Sequence, residues 1–177
     1  MLELVKSPNP ILQKKLPDFD FANPIMDPFT LEEQMVLLMQ VENGRGLSAN
    51  QVNIEARVFV IKTEQLKDVK YPFAVFNPKL IAVSDNLIQD YEGCLSFTNL
   101  FLAINRPEHA VVEFLDRNQE KHIIRLDGID ARCFLHELDH LEGICFTDKV
   151  SKFKLDLATK RQRKLNGRTQ QRITTSI

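Results

Sequence analysis

Residues 128–143 read GIDARCFLHELDHLEG and predict a helix with almost no face left for solvent. Apolar residues and histidines fall on every side of a helix that runs from about Gly128 to Glu142. The side chains concerned are Ile129, Cys133, Phe134, His136, Leu138 and His140. Gly143 follows as a suitable left-handed cap. We therefore expect a largely buried helix at this position.

The pattern His136-Glu137-Leu138-Asp139-His140 inside this helix is typical of a metal site. Residues four apart lie on one helix face, so both imidazoles can bind the same ion. Glu137 lies one step round the helix, where a carboxylate can take a proton from water at the open position of the metal. The alternative is a polar face with two solvated histidines, but histidines in a buried helix would then need other partners.

Such a site needs a third ligand from outside the pattern. No histidine follows His140, and Glu142 lies too close along the same helix. Cys94, in the segment EGCLS at 92–96, is the stronger candidate because the preceding glycine lets the backbone approach a ligand closely. Taken alone, a cysteine is more often a small buried apolar residue. That interpretation applies to the remaining cysteines, Cys133 and Cys145.

The segment GRGLSANQ at 44–51 is a third candidate for ligand contact. Its two glycines and small residues let the backbone run close to a ligand, and Gln51 can donate an amide hydrogen bond. A turn between a helix and a strand explains the pattern equally well. It is not a dinucleotide or phosphate loop, because no strand precedes it and no Gly-Lys-Ser/Thr follows.

The middle of the chain predicts antiparallel sheet. Residues 110–115 and 121–126 form the arms of a hairpin that turns at Asp116-Arg117-Asn118-Gln119. Further strands are predicted at 57–62, 74–76, 80–83 and 100–104. Because these strands follow one another with no helix between them, we expect antiparallel pairing and an α+β fold.

Two more helices are predicted outside the sheet. Thr30 and Glu33 form a capping-box pattern ahead of apolar residues at helical spacing. The last helix, at 152–165, is amphipathic, and its cations are Lys152, Lys154, Lys160, Arg161, Arg163 and Lys164. We predict a single domain over 1–165. Because the end of the chain is polar, we also predict a flexible tail over 166–177.

The composition is that of an ordinary globular protein, with 177 residues, 44% hydrophobic and 27% charged. A formal net charge of −1 gives no global attraction to nucleic acid or to an anionic membrane. No continuous apolar run predicts a signal peptide or a membrane span. Three cysteines cannot all pair within one chain, which favours a reducing, cytoplasmic setting.

Taken together, the three candidate segments resemble the peptide deformylases. That family carries Gly-x-Gly-Leu-x-Ala-x-Gln, Glu-Gly-Cys-Leu-Ser and His-Glu-x-Asp-His in this order. Here they read GRGLSANQ (44–51), EGCLS (92–96) and HELDH (136–140). The likeness extends through PNPIL near the start, NRP at 105–107 and HLEGICFTDKVS after the metal helix, and covers about Leu2 to Lys164. It implies an α+β fold with antiparallel sheets packed around a central helix that carries the HExxH pattern.

The resemblance implies a metal-dependent hydrolase that removes the formyl group from the N-terminal formyl-methionine of newly made polypeptides and releases formate. Cys94, His136 and His140 would bind a divalent ion, physiologically Fe²⁺, although such a site also suits Zn²⁺, Ni²⁺ or Co²⁺. Glu137 would be the catalytic base, and Gln51 and the Leu95 backbone N–H would stabilise the oxyanion. The substrate-binding residues implied are Gly44, Arg45, Gly46, Leu47, Glu92, Gly93, Arg106 and Cys133.

The chain departs from the family pattern near the expected substrate. Arg45 stands where the family usually has an aliphatic residue near the methionine side-chain pocket. Arg106 fits a structural role as well as a place near the peptide-binding cleft. None of the departures is a metal ligand or the base, so we expect activity, with consequences for substrate preference. The other departures are Ser48, Asn50, Phe97 and Thr98.

The basic final helix has two interpretations. Most charge runs are solvated faces. Members of the resembled family, however, use a C-terminal helix to dock at the ribosomal exit tunnel, and docking through phosphate contacts would be strongly salt-dependent. The partners expected are therefore formyl-methionyl nascent peptides, with the ribosome as a further partner through this helix and no membrane.

Three other functions remain open from the residues. A zinc peptidase of the HExxH type normally takes its third ligand from a histidine or a glutamate, and assays on formylated and unformylated peptides would separate it. A structural zinc site needs four protein ligands, and no fourth presents itself in the sequence. A thiol hydrolase that uses Cys94 and a histidine would resist chelators and be inactivated by alkylation.

Overall fold

The computed structural model describes residues 2–63 and 72–174, with the backbone alone from residue 167 onward. Within these ranges, seven strands and three α-helices follow one another in an irregular order. In chain order they are α1 (Pro28–Val41), β1 (Gly46–Ser48), β2 (Val58–Ile61), β3 (Phe73–Val83), β4 (Leu87–Cys94), β5 (Phe97–Pro107), β6 (His109–Leu115), β7 (Lys121–Asp127), α2 (Gly128–Leu141) and α3 (Lys152–Thr174). Single 3₁₀ turns span Pro10–Gln13, Ala49–Val52 and Phe146–Lys149.

Two antiparallel sheets pack around α2. Five strands form one sheet in the order β1-β2-β3-β6-β7, and β4 pairs only with β5 in the other. Helix α2 contacts β1, β2, β6 and β7 of the first sheet and β5 of the second. The α+β fold with antiparallel sheets around a central helix is confirmed, as is the hairpin of β6 and β7.

The central helix is as buried as its sequence predicts. Ten of its fourteen residues are buried, which leaves no continuous solvent face. On one side Phe134 packs edge-on against Phe59, with ring centroids 5.0 Å apart. On the other, His136 lies 5.8 Å from the ring of Phe146. Gly143 adopts a φ of +73° just after the helix, as expected of a left-handed cap.

The strand predictions were incomplete. Residues 74–76 and 80–83, predicted as separate strands, belong to the single strand β3. Its register shifts between Phe76 and Lys79, where Asn77 has a φ of +51° and Pro78 lacks an N–H. This bulge explains why the sequence suggested an interruption. Strands β1 and β4 were not predicted at all.

Two helix ends also differ from prediction. Helix α1 begins at Pro28, and the Asp27 carboxylate accepts the Thr30 N–H at 2.9 Å, so Thr30 lies inside the helix instead of capping it. Helix α3 continues to Thr174, well beyond the predicted end at 165. The last residues of the predicted tail, 175–177, lie outside the described residues. Within the described ranges, no helix is both long and apolar enough to cross a membrane.

Candidate active site and metal centre

A cavity of about 550 Å³ opens between β1, the β4–β5 hairpin and α2. Segments 44–51, 92–96 and 136–140, far apart in sequence, all contribute to it. Most of the predicted substrate-binding residues line the cavity: Gly44, Arg45, Gly46, Glu92, Gly93 and Cys133. Leu47 and Arg106 do not belong to its lining and are buried behind it.

The three predicted metal ligands lie together: Cys94 and His136 line the cavity, and His140 is buried directly beside them. Cys94 is the last residue of β4, and His136 and His140 lie one turn apart on α2. One potential ligand atom from each residue lies within 4.8 Å of the other two. Cys94 Sγ faces His140 Nε2 at 3.2 Å. Two imidazoles and a thiol this close form a donor set that suits a borderline or soft divalent cation.

The electrostatics of the two histidines also fit a cation. Burial lowers the pKa of His136, but its contacts with Cys94 and Glu92 outweigh this and raise it to about 10. Burial and the positive charges of His136 and Arg106 push the pKa of His140 well below its usual value. The pair therefore attracts one positive charge and resists a second proton. A single metal ion bound by both rings would satisfy this preference.

Only one of the three cysteines is suited to ligate a metal as a thiolate. Burial, followed by the charge of Glu137, raises the pKa of Cys133 well above its usual value. Burial likewise raises the pKa of Cys145 to about 12. Both thiols therefore stay protonated, as expected of small buried apolar residues. Cys94 is partly exposed at the cavity wall, which agrees with the choice made from the sequence.

Behind the histidines, Glu92 is the centre of a buried ion cluster. Its carboxylate accepts hydrogen bonds from Arg106 at 2.8 and 2.9 Å and from Arg132 at 2.7 Å. The same carboxylate lies 3.0 Å from His136 Nδ1. Burial raises the pKa of Glu92, but Arg106 and His136 lower it far more, so the group stays ionised. A carboxylate on Nδ1 turns the other ring nitrogen, Nε2, towards a ligand position.

This cluster changes the interpretation of two predicted substrate-binding residues. Both oxygens of Glu92 are used by neighbouring side chains. Arg106 is only 4% exposed and also donates to the Asp139 carboxylate and to the Leu135 carbonyl. These contacts favour the structural alternative for Arg106 over a contact with substrate. Glu92 lines the cavity, but its carboxylate oxygens contact the two arginines and His136 of the cluster.

Glu137 is held in place by contacts with β1. Ser48 Oγ donates to Glu137 Oε2 at 2.7 Å. A Cβ on Gly46 would lie 2.7 Å from Glu137 Cγ, so only glycine allows β1 to approach this closely. Burial raises the pKa of Glu137, and the charge of His136 and the Ser48 hydroxyl only partly oppose this. A carboxylate whose pKa is raised takes up a proton more readily than an ordinary glutamate and can later return it.

The Gln51 side chain is fixed beside Cys94. The Ser48 N–H donates to Gln51 Oε1 at 2.9 Å, which sets the orientation of the amide. Gln51 Nε2 then donates to Ser96 Oγ at 3.1 Å and to Cys94 Sγ at 3.3 Å. Leu95, predicted as the second oxyanion donor, follows Cys94 directly and lines the same cavity. The two predicted donors therefore lie on neighbouring walls.

Arg45 is placed at the rim of the cavity. Its guanidinium donates to Asp130 at 3.0 Å, and the other oxygen of that buried carboxylate accepts the Thr63 hydroxyl at 2.6 Å. About half of the Arg45 side chain remains exposed. The family departure at this position thus forms an ion pair between the residue that precedes β1 and the first turn of α2.

Sequence reasoning missed three residues that support the site. Ser48 contacts the predicted base, whereas Arg132 and Asp139 belong to the ion cluster around Glu92. Asp139 could have been inferred, since it is a fixed member of the family segment at 136–140. Nothing in the sequence indicated that Arg132, within an apolar helix, would be buried against a carboxylate from β4.

Comparison with known proteins identifies a family. The family model described as polypeptide deformylase matches residues 1–156. The peptide deformylase of Agrobacterium fabrum is 30% identical over 158 residues, which cover 89% of this chain and 92% of that protein. That of Pelagibacter ubique is 36% identical over 77% of this chain and 80% of its own.

Solved structures give the same result. A peptide deformylase from Synechococcus elongatus, in complex with actinonin, superposes with a TM-score of 0.82 at 31% identity, over 91% of this chain and 87% of that one. A plant peptide deformylase reaches a TM-score of 0.81 at 30% identity, over 97% and 92% of the two chains.

Proposed function

The chain belongs to the polypeptide deformylase family, and from this we propose that Cys94, His136 and His140 hold the divalent ion of a formamide hydrolase. The protein catalyses the reaction of this family. It hydrolyses the N-formyl group from the N-terminal formyl-methionine of newly made polypeptides and releases formate. The observation that carries the assignment of residues is the convergence of three ligand atoms within 4.8 Å beside a buried glutamate.

We propose Fe²⁺ as the physiological ion. A mixed thiolate and imidazole site accepts it, although Zn²⁺, Ni²⁺ and Co²⁺ suit the same donors. When bound, a divalent ion supplies Lewis acidity that polarises the formyl carbonyl and makes water more acidic. The Glu92 carboxylate supports the site by holding the proton on Nδ1 of His136, so that Nε2 is left for the ion.

In this proposal Glu137 moves the proton. Its carboxylate takes a proton from the attacking water and returns it to the leaving amine of the peptide. The Ser48 hydroxyl, 2.7 Å from Oε2, and the close backbone of Gly46 fix the carboxylate on one side. The buried environment raises the pKa of Glu137 and so makes protonation during the cycle easier.

Gln51 and Leu95 would bind the oxygen on which negative charge develops. The Gln51 amide is already oriented by the Ser48 N–H, so its Nε2 lies beside the proposed metal ligand Cys94. To reach the oxyanion, Nε2 would exchange its hydrogen bond to Cys94 Sγ, now 3.3 Å long, and keep the one to Ser96. The Leu95 backbone N–H would supply the second donor from the adjacent wall.

The assignment is tested by formate release from formyl-Met-Ala-Ser, with protein prepared anaerobically with Fe²⁺. Glu137→Gln should lower the turnover by about 10²- to 10⁴-fold, as loss of a general base does, at unchanged metal content. Glu142→Gln is the matched control, because Glu142 ends the same helix but pairs with Arg57 and Lys15 outside the cavity. Full turnover in the Glu137 variant, or no formate from the metal-loaded wild type, would refute the proposal.

We propose further that α3 docks on ribosomal RNA. All six of its cations between residues 152 and 164 are exposed, and its acidic side chain in that range is Asp156. Such a surface attracts phosphates, which would bring the cavity close to formylated nascent chains. The cytoplasm is then the proposed compartment, since nascent chains emerge there. We also propose residues 1–165 as the catalytic unit and 166–177 as a C-terminal extension, a boundary that falls within α3.

A further inference from the structure

The turn between β4 and β5 lacks the geometry that makes short hairpin turns stable alone. Cys94 pairs with Phe97, so Leu95 and Ser96 form a two-residue turn. Such turns normally need positive φ, supplied by glycine or asparagine, to match the twist of the strands. Neither Leu95 nor Ser96 has a positive φ. The one positive φ nearby is that of Asn99, at +60° within β5, so contacts from outside the hairpin can add to the stability of the turn.

The pairing behind the turn is also irregular. Gly93 pairs with Phe101, but the next residue, Cys94, pairs with Phe97, so the register shifts directly beside the turn. The regular ladder of β4 and β5 thus ends one residue before the thiol that is proposed to bind the metal. Apart from the pair of Cys94 with Phe97, strand pairing does not fix the position of Leu95.

The N-terminal segment holds this turn by both of its carbonyl groups. The Ser7 N–H donates to the Ser96 carbonyl at 2.8 Å, and the Lys6 ammonium donates to the Leu95 carbonyl at 3.1 Å. In the same segment, the Val5 N–H donates to the Gln51 carbonyl at 2.8 Å. Three consecutive residues therefore touch both backbone segments that carry the proposed oxyanion donors.

Lys6 is the one side chain among these contacts. It lies at the cavity wall with its side chain 50% exposed, and its ammonium is 3.8 Å from the Glu42 carboxylate. An exposed ion pair of this kind contributes little to stability. A hydrogen bond from an ammonium to a carbonyl is stronger and directional, so its main effect is on the geometry of the turn.

We propose that Lys6 is a positioning residue for the deformylase reaction: by holding the Leu95 carbonyl, it keeps Cys94 and the Leu95 N–H aligned with Gln51. This rests on the proposed function, because it assumes that the Leu95 N–H binds the developing oxyanion. Misalignment of a reacting group weakens the transition state more than the bound substrate. Loss of Lys6 should therefore lower kcat and leave KM nearly unchanged.

The test compares Lys6→Met with Lys14→Met and Lys6→Arg. Lys14 belongs to the same N-terminal segment, is 52% exposed and pairs with Glu55, so it reproduces the charge and exposure of Lys6 away from the turn. With formyl-Met-Ala-Ser, Lys6→Met should lose roughly three- to tenfold in kcat, less than removal of a whole oxyanion donor. Lys6→Arg should recover most of the rate, and Lys14→Met should match the wild type, all at equal Tm and metal content.

Several results would overturn the proposal. A rise in KM at constant kcat in Lys6→Met would show that the ammonium binds substrate instead. An equal loss in Lys14→Met would indicate a general effect of charge or folding. An active wild type with an equally active Lys6→Met would refute the positioning role and leave the proposed function intact, whereas an inactive metal-loaded wild type would refute both.

Discussion

Substitution of Glu92 by glutamine removes a buried negative charge that two arginines and a histidine share. The carboxylate accepts from Arg106 at 2.8 and 2.9 Å and from Arg132 at 2.7 Å, and it is only 5% exposed. Loss of one partner from a buried ion pair costs about 3–5 kcal/mol in free energy of unfolding. We expect about 3 kcal/mol, because glutamine keeps one acceptor oxygen and each guanidinium keeps backbone carbonyl acceptors.

The same substitution should weaken metal binding. His136 Nδ1 lies 3.0 Å from the Glu92 carboxylate, and loss of such a partner typically lowers metal affinity about 10- to 100-fold. A chelator competition titration with Zn²⁺ would measure this change. Because a bound metal stabilises the folded state by mass action, the unfolding experiment is done separately in the presence of chelator.

Urea unfolding at pH 7 measures the loss in free energy of unfolding of the Glu92 variant. Glu142→Gln is the control. Glu142 also pairs with an arginine, but its side chain is 33% exposed, so its loss should cost at most about 1 kcal/mol. A Glu92 variant as stable as this control, with wild-type metal affinity, would refute the view that Glu92 is the electrostatic centre of the site.

Other predictions test the base, the hairpin and the basic helix. Gly46→Ala would place a methyl group 2.7 Å from Glu137 Cγ, and displacement of that carboxylate by about 1 Å should lower kcat roughly 10²-fold; wild-type formate release would contradict this. Burial raises the pKa of the Asp116 carboxyl, but hydrogen bonds from the backbone of its own turn and from a histidine lower it on balance. The stability it contributes is therefore present above about pH 4 and is lost as the pH falls below that value. Asp116→Asn should cost about 1–2 kcal/mol at pH 7 and less in acid, and urea midpoints that differ equally at both pH values would refute the assignment. Reversal of charge in α3 by Lys160→Glu with Arg161→Glu should weaken cosedimentation with ribosomes and flatten its salt dependence. Formate release from a tripeptide should stay constant. Unchanged cosedimentation would argue for a merely solvated face.

The elements that sequence predicted well have strong local signals. Helix α2 is apolar or histidine-bearing on every side, and the β6–β7 hairpin has arms of alternating residues around a polar turn at 116–119. Strand β4 had no such signal. Seven of its eight residues, Leu87 to Cys94, lie outside the core, so their polarity does not alternate. Its place is set by pairing with β5, which only the folded chain reveals.

In the candidate site, too, some features could be predicted from the sequence and others could not. The ligand set followed from chemistry, since HExxH requires a third ligand and Cys94 had the stronger local context. The roles of Glu92 and Arg106 could not be assigned this way, because a charged residue near a site can face either the substrate or its own supports. In the folded chain, Arg132 brings a second positive charge from α2 to Glu92, and this contact assigns Glu92 to the ion cluster. Pairings between segments this distant have no signature in the sequence of either one.

The isolation of β4 and β5 from the main sheet bears on the order of events as the chain is made. A two-stranded hairpin is at best marginally stable in water, and this one is packed through Leu100, Leu102 and Ile104 against Phe146 and the first turns of α3. Those covering residues are synthesised after His136 and His140. Cys94 therefore reaches the two imidazoles in a lasting arrangement only when the C-terminal helix has left the ribosome and docked. We expect metal uptake to be among the last steps of maturation, so that an unfinished chain would carry all three ligand residues but no assembled centre.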